Sequence, residues 1–139
     1  MKWFFAVLVS ALLPVPVALS QDALPSGFSA QPVLKTTKSA DGDPLKLPSG
    51  SAEIVSVIGT IEAGGRTARH QHPVPVYVYV MEGALEVQTE GQEARSYKSG
   101  EAFMESVNRW HQAFNNGGEA AKILVVFMGE EGKPTTVTE

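Results

Sequence analysis

His70, His72 and His111 are the three histidines of this 139-residue chain, and they fall in two short, well-separated blocks. Imidazole is a common ligand for zinc, copper, iron and nickel. Alternate side chains of a β-strand share a face, so His70 and His72 can aim at one point from a single segment. The third ring must come from elsewhere, and His111 is the one available. The chemistry implied is a three-imidazole metal site with open positions for water or a ligand, because a structural zinc site is normally closed by four protein ligands. Taken alone, the His-Gln-His pair is equally at home on a solvated surface, so the elements that carry it decide its meaning.

The start of the chain determines which residues reach the folded protein. Met1-Lys2 precedes an apolar run from Trp3 to Leu13, and Ala18-Leu19-Ser20 places small residues where a signal peptidase reads. Residues 1–20 are therefore expected to be a cleaved secretory signal, and the protein to be secreted or periplasmic. Pro14 and Pro16 break a run already shorter than the roughly 20 apolar residues of a spanning helix, which argues against a membrane anchor. The chain has no cysteine, which excludes a disulfide framework, thiolate ligands and a thiol nucleophile. Once Lys2 leaves with the signal, ten Lys plus Arg face fifteen Asp plus Glu, a net charge of minus five. That balance argues against nucleic acid or an anionic membrane as a partner. The remaining length suits one domain with a single core.

Residues 21–51 are rich in Pro, Ser, Gly and Lys and read as an N-terminal arm, with one short strand over 32–37 and turns at Asp41-Gly42-Asp43-Pro44 and Leu47-Pro48-Ser49-Gly50. From 52 to 129 the texture changes to β-branched and aromatic runs separated by glycine turns, without helical periodicity. Strands are expected over 53–62, 76–81, 84–89, 93–97, 102–105, 110–115 and 120–127. Short antiparallel strands at such spacing make a sandwich or a barrel. Residues 85–89 alternate apolar and polar, as a strand with one wet face should, whereas 123–127 are apolar throughout and read as covered on both faces. Residues 130–139, with Glu130-Glu131, read as a solvated tail. No phosphate-binding loop or nucleophile elbow occurs.

Gly64 is followed by five residues and then His70-Gln71-His72, and Gly83 closes that block; Gly100, His111 and Asn115 form a second. The pair of blocks resembles the two motifs of the cupins over roughly residues 53–128. The resemblance implies an all-β fold, the cupin double-stranded β-helix or jelly-roll barrel. It also implies one divalent transition metal (Zn, Cu, Ni, Fe or Mn) on His70, His72 and His111, and a homodimer in which the arm packs across a neighbour. The chain departs from the pattern in three places. The motif glutamate falls at Val76, or at Tyr77 with the longer spacing, and Ser106 and Asn108 stand in place of a proline and a glycine. Asparagine tolerates the left-handed backbone such a turn requires. Loss of the carboxylate is more serious, since it removes a hard oxygen donor and shifts preference from iron or manganese towards zinc, copper or nickel.

Glu105 precedes His111 by six, an even offset that makes it a candidate fourth ligand, although the Ser106-Val107-Asn108 turn interrupts the parity; the alternative is a solvated strand end. Arg109 is a candidate for binding an anionic group of a substrate, or a rim charge. Phe103 and Trp110 read as packing or interface residues. If the histidines set the inward parity, Val76, Val78 and Val80 line the barrel and Tyr77 and Tyr79 face outwards. Three uses of such a cavity are open: metal-dependent turnover of a small organic acid or phenol by a dioxygenase, isomerase or lyase, binding of a metal or small molecule without turnover, or an empty barrel whose imidazoles bond to one another.

Overall fold

Alternation in one strand decides what is inside. Val76, Val78 and Val80 are 0, 2 and 0 % exposed, while Tyr77 and Tyr79 between them are half-buried on the outer face, as the parity of the histidines predicts. The computed structural model describes residues 27–139, so the expected signal at 1–20 lies outside the described residues. Pro32 to Glu139 form one unit. Its strands are β1 (Ala52–Ile61), β2 (His70–Gln71), β3 (Val76–Glu82), β4 (Ala84–Thr89), β5 (Arg95–Lys98), β6 (Ala102–Glu105), β7 (His111–Phe114), β8 (Ala121–Glu130) and β9 (Val137–Thr138). No helix occurs among the described residues.

The strands form two antiparallel sheets in the orders β1-β8-β3-β6 and β5-β4-β7-β2-β9. This is the all-β jelly-roll, in which successive strands switch between layers except at the β4–β5 hairpin, and both inner faces supply the core. Val76, Val78, Val80, Phe103 and Ile123 from one sheet meet Leu85, Val87 and Ala113 from the other. The layers are also joined by Tyr97 stacked on Phe103, with ring centroids 3.8 Å apart and planes 17° from parallel. Phe103 is thus a packing residue, and Trp110 lies beneath the Arg69 guanidinium at 5.2 Å. Gly83 between β3 and β4 has φ 72°, and a Cβ there would lie 2.9 Å from Ala120 O, so both backbone sign and space demand glycine.

Three expectations need correction. Residues 32–37 form no strand; they are exposed, and the Thr36 hydroxyl closes a local turn with Lys38 instead. Strand β8 is not sealed on both sides, because Leu124, Val126 and Met128 are half-buried on the outer face. The tail is not merely solvated, since β9 pairs with β2 at His70↔Thr138 and Gln71↔Val137. Over Lys38–Leu45 the arm bonds to its own barrel and to itself: the Ala40 N–H donates to Met104 O at 2.8 Å.

Candidate metal centre

Three backbone carbonyls fix the chemistry of three imidazoles. His70 Nδ1 lies 2.7 Å from Ala68 O, His72 Nδ1 2.8 Å from Thr135 O and His111 Nδ1 2.9 Å from Arg109 O. A carbonyl oxygen only accepts, so each Nδ1 carries the proton and donates it, and a neutral ring keeps a bare lone pair on Nε2. Donation of the remote N–H to a backbone carbonyl is also how metal-bound histidines are usually oriented.

The strands bring the rings together. His70 and His111 are direct partners across β2 and β7, and Thr89 on β4 faces His111 from the other side. His72 returns to the face of His70 and is fixed by its own carbonyl, which accepts the Asn108 N–H at 2.8 Å. Asn108 has φ 56°, so the left-handed turn expected of it is formed. The ring centroids lie 4.8 Å (70 and 72), 4.4 Å (70 and 111) and 5.2 Å (72 and 111) apart, with the ligand nitrogens within 4.8 Å of one another.

Glu105 comes from the facing sheet. Its Oε2 is 3.2 Å from His72 Nε2 and its Oε1 3.4 Å from His111 Nε2, with only 12 % of the side chain exposed. Its direct cross-strand partner is Val76. Opposed residues on one sheet face have Cβ atoms about 5 Å apart, so a carboxylate carried on β6 reaches the space that one on β3 at position 76 serves. The carboxylate missing from the motif has moved one strand sideways. Tyr77, the other motif position, faces outwards.

A divalent ion fits these donors. Bonds of about 2.0–2.1 Å to a four-coordinate ion put neighbouring ligand atoms about 3.3 Å apart. The two contacts of Glu105 straddle that value. Glu105 Oε2 and His111 Nε2 are buried without a hydrogen-bond partner, an arrangement that is costly for two acceptors unless a cation lies between them. Burial alone raises the Glu105 carboxyl, but the facing His111 and His72 rings outweigh it and hold its pKa at about 2. For His111 burial pulls the pKa down, and the Glu105 carboxylate more than compensates, so it is raised. His70 is lowered, first by burial, with the neighbouring rings adding to it. At neutral pH the site therefore offers one carboxylate and a His70 ring with its Nε2 lone pair free.

Beside the centre is a cavity of about 10 Å³ lined by Asp41, Arg95, Tyr97, Glu105, Ser106 and His111 among others. That is room for about one water molecule. Arg109 is not among its lining residues: Nε and Nη2 donate to Asp43 at 2.9 and 3.3 Å, and both side chains are largely solvated. Arg95 is the arginine that reaches the cavity. Its signal was the alternation of Glu93, Arg95 and Tyr97, all three of which line it.

A family model described as a Cupin domain matches residues 57–127. No curated protein matches the chain. Among solved structures, it is similar to an oxalate decarboxylase from Lactobacillus farciminis, crystallised as a formate complex, at TM-score 0.54 and 21 % identity over 61 % of this chain and 26 % of that one. It is also similar to the DMSP lyase DddQ from Ruegeria pomeroyi at TM-score 0.55 and 22 % identity, covering 70 % and 46 % of the two chains. A cupin-like protein from Thermotoga maritima matches at TM-score 0.52 and 20 % identity over 66 % of each chain. The chain thus spans less than half the length of either enzyme, and these likenesses bear on fold alone. With two facing antiparallel sheets, a histidine cluster between them and a family match over half its length, the chain belongs to the cupins.

Proposed function

We propose that the protein binds one divalent transition metal through Nε2 of His70, His72 and His111 with Glu105 as fourth ligand, and that it is a metal-dependent enzyme acting on a small organic acid or phenol. The observation that carries the metal reading is the clustering of three rings, each with its Nδ1 proton given to a backbone carbonyl, with one buried carboxylate against two of them. Rings that bonded only to one another would need an extra proton at Nε2, which argues against an empty barrel. When bound, the ion supplies Lewis acidity, or redox chemistry if it is iron, manganese or copper. The chain's own groups hold it, keep the rings oriented and line a pocket from which bulk water is shut out. Because Glu105 restores an oxygen donor, iron and manganese stand beside zinc, copper and nickel as candidates.

The cavity's size favours a second reading. A space for one water holds no organic substrate, which suits a protein that binds metal without turnover. Elemental analysis of untagged protein tests the first reading: about one metal atom per chain is expected, and none for His111→Ala. A metal-free wild type sinks it. Oxygen uptake and product analysis with small phenols, diketones and keto acids then separate an enzyme from a binding protein. Export after cleavage of residues 1–20 and a homodimer belong to the same reading; the outer face of the first sheet, with Ile54 and Ile58 each 62 % exposed, is apolar enough for a second copy.

A further inference from the structure

One carboxylate in the cavity comes from outside the barrel. Asp41 belongs to the arm, its Oδ2 accepts the Ser106 hydroxyl proton at 2.7 Å, and the neighbouring Ala40 carbonyl accepts a hydrogen bond from Arg95 Nη1. Ser106 is 3 % exposed and follows Glu105, where the motif has a proline that offers no hydroxyl. Arg95 is the one cation lining the cavity, and it takes part in no ion pair among the described residues. A buried hydroxyl and a guanidinium, the groups that recognise carboxylates, thus meet beside His111 and Glu105 and are occupied by the protein's own chain.

We propose that Ser106 and Arg95 form a carboxylate-binding subsite next to the metal centre, engaged in this conformation by Asp41 at Ser106 and by the Ala40 carbonyl at Arg95, and that the ligand is a small carboxylate that takes their place when Ser39–Asp43 moves away. The subsite rests on the metal reading above. Charge favours the exchange. With a divalent ion bound, Asp41, Glu93 and Glu105 balance Arg95 and the ion, and departure of Asp41 leaves an excess positive charge for an incoming anion. Size requires it, since the closed cavity admits about one water. Moving the segment breaks the Ala40 N–H bond to Met104 O, the Ser39–Ser106 hydroxyl contact and the exposed Arg109–Asp43 pair, so the incoming ligand must outweigh these contacts.

The test is titration of cobalt(II)-loaded protein with acetate, followed by the visible spectrum of the ion. Asp41→Ala is expected to bind acetate about 10-fold or more tightly than wild type, and adding Ser106→Ala or Arg95→Ala to it to lose at least about 10-fold. Acetamide, uncharged and of the same shape, is expected to show neither change. Acetate affinity that is the same in wild type and Asp41→Ala, or in the single and double variants, overturns the subsite. A wild type that takes up no cobalt overturns the metal reading instead, and with it the subsite, and this is visible before any acetate is added.

Discussion

Moving one carboxylate across a strand pair is the sharpest test of the centre. Glu105→Gln keeps the side chain's shape and removes its charge. At about 4 Å and an effective dielectric near 20, a unit charge is worth about 4 kcal/mol against another, hence about 8 kcal/mol against a divalent ion. Part of that is offset, because the facing imidazoles already favour the carboxylate in the metal-free protein. Their effect, from the ordinary 4.5 to about 2, corresponds to about 3 kcal/mol. The balance of about 5 kcal/mol predicts a loss of between about three and four decades in metal affinity. Since Val76 is the direct partner of Glu105, the double variant Glu105→Val, Val76→Glu is expected to recover most of it by restoring the carboxylate from the other strand. Competition against a chromophoric chelator with zinc reads all three proteins. Wild-type affinity in Glu105→Gln, or a double variant no better than the single, refutes the placement.

Three other outcomes are expected. Asn115 is 1 % exposed, donates to Ile61 O and Glu119 O and accepts from the Gly117 N–H, so Asn115→Ala leaves buried carbonyls without donors; thermal melting should show about 2–4 kcal/mol lost, and a melting temperature within a degree of wild type contradicts this. In metal-free protein the lowered Glu105 contributes fully above its ordinary 4.5, a contribution lost as pH falls towards about 2, and the raised His111 contributes fully below 6.5 and loses its share as pH rises through its folded value. Chelator-treated protein should therefore lose stability as pH falls below about 4.5, while the raised His111 and the lowered His70 act in opposite directions through the histidine range, and added metal should help most above about pH 6.5, where protons no longer compete; superimposable pH profiles with and without metal speak against it. Ile58→Glu should convert a dimer to a monomer in sedimentation without lowering metal content, and an unchanged sedimentation coefficient removes that face as the interface.

What could be read from the residues was whatever is periodic or local. The alternation of Val76, Val78 and Val80 gave the inner face, the glycines gave the turns, and two histidine blocks gave the ring cluster. Glu105 was only half legible, because its parity with His111 is lost across a turn that includes a left-handed Asn108, and its pairing with Val76 is a non-local register no single segment encodes. Arg109 drew attention by standing two residues before His111, yet it pairs with Asp43 from the arm, an encounter between distant segments. Arg95 lay in a strand whose alternation already assigned it a face. Which face was inner depended on its partner Val87, buried in the core. The tail was read as solvated from its charged start, but its backbone groups, which composition does not reveal, are what it contributes.

The tail is the clearest instance. Thr135 lends His72 its carbonyl, the Thr136 hydroxyl stands 3.2 Å from the same nitrogen, and two residues later β9 zips onto β2. Cleavage after Lys133 would strip β9 from the edge of the second sheet and spare the other strands and the valine interior, while freeing the His72 ring from its carbonyl tether. Wear at that end would thus appear first at the His72 ring in a still-folded molecule.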